Sequence, residues 1–224
     1  WGYIIAVLSL VGFTGCTGEQ DQAVADLAIA YVERPIPIEP NSNPPVPIDP
    51  DVREPAAFNE GGDLYVRDSA SPSASARNIT LCITDLNGDG VGTGDVKDLD
   101  SSFDGEKLIF SLRLEDLAPN NDAIPPPTWN IYEYDVLTGG CPTRLIASDF
   151  EAEKGDDLGP SYLPDGRIVF TSSRQDLVGA IQLDEGNVQF PPQDENQNEN
   201  SLVLHVMSAS GGDVKQISFN QSHD

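Results

Sequence analysis

The stretch Asp85-Leu86-Asn87-Gly88-Asp89-Gly90-Val91-Gly92-Thr93-Gly94-Asp95 carries the densest chemistry in the sequence. Side-chain oxygens at its first, third and fifth positions, with glycine at the sixth, open a calcium loop of the EF-hand kind: alternate oxygens converge on a hard cation and glycine permits the sharp turn. The seventh position would lend the Val91 carbonyl. The twelfth, where an acidic ligand belongs, is Val96, and the carboxylate comes one residue earlier, at Asp95. Asp98 or Asp100 would complete the shell if the chain folds back. The same residues also read as a solvated acidic turn, because Asn-Gly and Asp-Gly form turns in their own right. One reading thus expects Ca²⁺ as a cofactor and the other does not.

The remaining chemistry is sparse. Two cysteines, Cys82 and Cys141, form an even pair that invites a disulfide in an oxidising compartment, although sequence alone does not bring their Cα atoms together. Of the two histidines, His205 sits in an alternating run, Leu202 to Met207, where a hydrogen-bonded structural role is expected. His223 lies in the polar cluster Asn220-Gln-Ser-His-Asp224 and is the candidate for a ligand-facing side chain. Asp149, Glu151, Glu153, Asp156 and Asp157 read as a solvated connecting turn, and Asp194 to Asn200 as an exposed polar insertion. The chain contains no Gly-rich phosphate loop, no Gly-x-Ser-x-Gly elbow, no paired-Cys zinc signature and no Cys-x-x-Cys-His haem attachment site. No catalytic residue is assigned.

The charge balance excludes further functions. Twelve Lys and Arg against 37 Asp and Glu give a net charge of −25. A nucleic-acid partner needs a basic face that displaces phosphate counterions, and none is expected here. Docking to anionic lipid through a polybasic patch fails for the same reason.

The elements that must position these residues begin after an unusual leader. Tyr3 to Phe13 is an apolar run that fits the core of a secretion signal and is shorter than the about 20 residues of a membrane-spanning helix. It closes on Phe13-Thr14-Gly15-Cys16, small residues before a cysteine, which resembles a bacterial lipobox. That resemblance implies cleavage before Cys16, acylation of Cys16, and a membrane contact made through the lipid alone, with the protein facing the periplasm or the exterior. Residue 1 is Trp, so the signal reads as truncated at its start. Eight prolines between Arg34 and Pro55 exclude helix and interior strand and predict an extended polyproline II spacer, with an ordered arm along the domain surface as the alternative. The expected organisation is a signal over 1–15, a lipidated cysteine with a Pro-rich linker over 16–55, and a folded domain over 56–224.

Within the domain, short β-prone runs alternate with turn residues: Leu64-Tyr65-Val66, Lys107 to Phe110, Asn130 to Tyr134, Arg167 to Phe170 and Leu202 to Val206. A repeat is visible. Asp104-Gly105, a charged residue pair and the strand Leu108-Ile-Phe-Ser111 align with Asp165-Gly166, Arg167 and Ile168-Val-Phe-Thr171. Asp-Gly supplies the positive φ of a tight hairpin. Each copy is followed by a second strand (Tyr132-Glu-Tyr-Asp135; His205-Val-Met207) and a third (Thr143 to Ile146; Val214 to Ile217). Leu64 to Asp68 and Arg77 to Thr80 read as the back half of an earlier unit. Repeating antiparallel units of this kind are propeller blades. The expected fold is all-β, a partial β-propeller of about two and a half four-stranded blades, short of the roughly 4 to 8 of a closed ring, so the chain reads as a fragment truncated at its C-terminus.

These strand signatures resemble the TolB-like, or WD40-like, propeller repeat. More narrowly, Asp95 to Asp100, Tyr162 to Thr171, His205-Val-Met207 and Gln216 to Asp224 resemble bacterial lipoproteins related to the propeller domain of the hydrazine synthase alpha subunit. The resemblance implies a cell-envelope binding or scaffold module with a protein or small-molecule ligand at the propeller mouth. The narrower resemblance implies, as an alternative, a relative of a haem-dependent redox enzyme whose catalytic region lies outside this sequence, and the Asp85 loop offers a third reading, a calcium-stabilised adhesion module.

Overall fold

The computed structural model describes residues 27–39, 41–47, 55–71, 73–121, 123–187, 192–193 and 200–219. They form three antiparallel sheets, and no closed barrel. The first sheet contains β1 (Ile29–Glu33), β2 (Asp63–Arg67) and β3 (Ala76–Asn78) in that order. A one-turn helix, α1 (Leu81–Thr84), follows β3. The second sheet is a meander of β4 (Asp95–Ser101), β5 (Lys107–Arg113), β6 (Asn130–Asp135) and β7 (Thr143–Arg144). After the short helix α2 (Asp149–Ala152) the third sheet repeats the meander with β8 (Asp157–Tyr162), β9 (Ile168–Ser172), β10 (Val203–Met207) and β11 (Lys215–Gln216). The all-β, partial-propeller reading holds.

The two four-stranded sheets are copies in register as well as in order. In the second, Phe110 pairs with Tyr132 and Ser111 with Ile131; in the third, Phe170 pairs with His205 and Thr171 with Leu204. The first strand of each sheet, β4 and β8, carries a bulge at the same point, and the residue in it has a left-handed backbone in both: Asp98 at φ 57° and Gly159 at φ 59°. The bulges also join the sheets. Asp98 Oδ2 accepts from Gly159 N at 3.0 Å, and Asp100 Oδ2 from Tyr162 N at 3.3 Å. Two carboxylates thereby satisfy amides that β8 would otherwise leave open on its unpaired edge.

Alternation along the strands builds one core on each face of the second sheet. Leu108, Phe110, Leu112, Tyr132 and Tyr134 pack against Leu64 and Val66 of the first sheet and Ile79 just after β3. Ile109 and Ile131, on the other face, pack against Ile168, Phe170 and Met207 of the third. Gly211, at φ 78° between β10 and β11, touches the Leu145 carbonyl so closely that a Cβ would stand 2.0 Å from it. The outer face of the third sheet is open at Leu204, which is 40% exposed, whereas its counterpart Ile131 is 1% exposed.

The chain departs from the linker reading at its start. β1 lies upstream of the prolines and pairs along its whole length with β2. Arg34 then docks its guanidinium on Asp95, and the Pro35 carbonyl accepts from Asn59. The beginning of the Pro-rich segment is thus an ordered arm on the domain, while residues 48–54 lie outside the described residues. α3 (Asp176–Asp184), nine residues long, was also unforeseen. None of its residues is buried, although Leu177, Val178 and Ile181 stand at helical spacing in its sequence.

Candidate functional site

The calcium-type loop keeps the conformation its glycines permit. Gly88 and Gly90 have φ of 71° and 84°. Asp85 gathers the loop around its carboxylate, accepting from Gly88 N (2.6 Å), Asp89 N (3.1 Å) and Gly90 N (2.9 Å). Asn87, Asp89 and Val91 are exposed, and Asp89 accepts from Val91 N. Asp95 is elsewhere: wholly buried, its two oxygens take Arg34 Nε at 2.7 Å and Nη2 at 2.6 Å, and Asn59 N adds a third bond at 2.7 Å. Asp98 and Asp100 are engaged with β8, as described. Among the described residues no three His, Cys, Asp or Glu side chains converge on a point a metal ion could occupy.

Cys82 on α1 and Cys141 in the β6–β7 connection are joined in a disulfide, their Cα atoms 6.1 Å apart. The bridge ties the helix that leads into the Asp85 loop to the second sheet. Cys16 and His223, and the signal over 1–15, lie outside the described residues. No helix among the described residues is long and apolar enough to cross a membrane.

The acidic turn is only partly solvated. Asp156 Oδ1 accepts from Trp129 N at 2.9 Å, and Asp157 is wholly buried against Arg174. Arg174, itself 3% exposed, spends its fork on three partners: Nε on Ser172 Oγ, Nη1 on the Glu151 carbonyl, and Nη2 on Asp157 Oδ2. The other Asp157 oxygen is buried without a partner. Burial pushes this carboxyl up to about 7 against the pull of Arg174. The opposing case is Lys97, whose ammonium stands 4.1 Å from the Trp129 ring centroid, donates to the Pro55 carbonyl, and is held below its ordinary value by burial.

Arg174 also forms part of a cleft of about 480 Å³ at the end of the third sheet where β9 finishes. Its floor is Arg174, His205 and Gln216; α3 contributes Asp176, Leu177 and Ala180, and Glu151, Val214 and Lys215 complete the rim. His205 is 2% exposed and stacked on Phe170 at 5.5 Å, with Nδ1 3.0 Å from the Val203 carbonyl. A carbonyl only accepts, so Nδ1 carries the proton and Nε2 is the acceptor of the neutral ring. Burial disfavours the charged ring and lowers the His205 pKa. Gln216 is oriented by its Nε2 bond to the Ser218 carbonyl (2.9 Å), and its Oε1 is buried without a partner.

No family model and no curated protein matches this chain. Among solved structures, Kuenenia stuttgartiensis hydrazine synthase is similar at a TM-score of 0.39 and 12% identity. The likeness covers 88% of this chain and 32% of that one, so the chain spans about a third of its length. The cleft's chemistry is therefore read from its own residues. The sequence had singled out His205 only as a structural residue, and Arg174 and Gln216 not at all. One signal existed: the strand repeat places His205 opposite Phe170 where the other copy has Tyr132 opposite Phe110. An imidazole replacing a phenol at a buried repeat position marks where the third sheet differs.

Proposed function

We propose that this chain is a cell-envelope binding module, a stack of propeller-like sheets that holds a ligand cleft rigid outside the cytoplasm. The observation that carries the binding reading is the cleft itself, concave and built of buried polar groups that only a folded scaffold would hold in place. The Cys82–Cys141 bridge supports the location, because disulfides persist in oxidising compartments. The open face of the third sheet supports a further sheet of the same kind packing there. Lipidation at Cys16 supplies the anchor. Metabolic labelling with an alkynyl fatty acid tests this: label is expected on the parent and none on Cys16→Ser. Parent protein that stays unlabelled and freely soluble overturns the anchored reading.

A second reading, a calcium-stabilised adhesion module, is favoured by the Asp85 loop. Asp85, Asn87, Asp89 and the Val91 carbonyl fit a hard cation as far as they go. With Asp95 committed to Arg34 and Val96 buried, water must fill the rest of the shell. A shell so incomplete binds in the weak range of extracellular modules, about 10⁻⁴ to 10⁻³ M. At roughly 10 mM CaCl₂, a saturating excess for such a site, the melting temperature rises by a few degrees, and Asp85→Ala with Asp89→Ala abolishes the rise. An unchanged melting temperature in the parent removes this reading.

A further inference from the structure

The cleft has a donor and acceptor pattern from which a ligand class can be chosen, given the binding role proposed above. Two acceptors among its lining residues are used by no described hydrogen bond: the Nε2 of His205, whose Nδ1 is the one that bonds Val203, and the Oε1 of Gln216. An anion would set its own lone pairs against both. Cationic side chains face the same space. Arg174 lies on the floor and raises the cost of protonating His205, Lys215 stands on the rim, and Lys154 occupies the rim carboxylates, 3.0 Å from Glu151 and 3.5 Å from Asp176. A ligand cation would therefore enter a site whose carboxylates are already matched. What remains is a neutral ligand that donates to the floor and also accepts, since the Arg174 fork has five N–H bonds and three are accounted for.

Hydroxyl groups do both. We propose that the cleft binds a neutral polyhydroxylated ligand of the sugar class, with hydroxyls donating to His205 Nε2 and Gln216 Oε1 and accepting from Arg174. Leu177, Ala180 and Val214 supply apolar surface for the C–H faces of such a ring. The volume of about 480 Å³ lies within the usual range for small-molecule sites.

The test varies charge on one carbon skeleton. Three neutral hexoses (D-glucose, D-galactose, D-mannose), the anion D-gluconate and the cation D-glucosamine are titrated into the protein while the two histidine ring signals are followed by NMR. At least one neutral hexose is expected to shift the His205 signal saturably in the millimolar range. Gluconate and glucosamine are expected to bind at least fivefold more weakly. Ala180→Trp, at an exposed helix position, fills the cleft and weakens the hexose at least tenfold; Gln216→Met removes one acceptor and weakens it at least threefold. Tighter binding of gluconate or glucosamine than of every hexose overturns the ligand class and leaves the binding role standing. No saturable shift from any of the five overturns the ligand class, as does a shift that survives Ala180→Trp.

Discussion

Removing the Cys82–Cys141 bridge, by reduction or by Cys82→Ser with Cys141→Ser, lowers the melting temperature by roughly 8–16 °C. The two cysteines are 59 residues apart. Closing a loop of that length restricts the unfolded chain by about 4 kcal/mol in the chain-entropy account. For a protein of this size each kcal/mol corresponds to roughly 2–4 °C. The loss should fall unevenly. α1 is a single turn whose N-cap makes no side-chain hydrogen bond; Asn78 and Asp63 accept from Leu81 N and Thr84 Oγ1, and the bridge adds a covalent link to the β6–β7 connection. Without the bridge, amide exchange accelerates first in residues 81–94, and the third sheet, linked to the second through Ile109, Ile131 and Phe170, keeps its protection. A melting temperature unchanged by reductant under conditions where free thiols are demonstrated would overturn the expectation.

The strands legible in the sequence were those with two cues at once, an apolar run and an adjacent turn. β5 and β9 each follow an Asp-Gly pair whose glycine does adopt positive φ, 74° at Gly105 and 85° at Gly166. β8 gave neither cue. Asp157-Leu-Gly-Pro-Ser-Tyr162 contains Gly and Pro because it is an edge strand with a bulge, and such residues argue against a strand when read locally. β1 was hidden by distance. Ile29 to Glu33 stands before the prolines while its partner β2 lies some thirty residues on, so the run was counted with the linker. Burial of charge was the least legible property. Asp95 occupied a plausible ligand position, and nothing local marks Arg34 as its partner; Asp157 read as one solvated carboxylate among five, because Arg174 comes 17 positions later. The cleft draws its residues from α2, α3, the end of β9, β10 and β11, and no contiguous motif records it.

Arg174→Met is expected to destabilise the fold by about 3–5 kcal/mol, the cost of leaving a buried carboxylate without its counter-charge. Asp157 is wholly buried and Arg174 nearly so, and among the described residues no other cation pairs with the carboxyl. The pH dependence fixes the cause. Asp157 titrates at about 7 in the fold against 3.8 when exposed. The folded state therefore holds the extra proton between those values, and this group's contribution to stability is complete below about 4 and fades as pH rises through about 7. Removing Arg174 takes away the attraction that offsets burial, so the carboxyl climbs further, and the variant's deficit is larger at pH 8 than at pH 5. Pairing the change with Asp157→Leu removes the orphaned charge, and the double variant returns to within about 2 kcal/mol of the parent, since apolar replacements of buried ion pairs are often neutral. The remaining deficit reflects the Ser172 and Glu151 bonds that Arg174 also made. Urea melts at the two pH values check both statements. A double variant whose loss equals the sum of the single losses would mean that packing alone, and not the buried charge, sets the cost at this end of the third sheet.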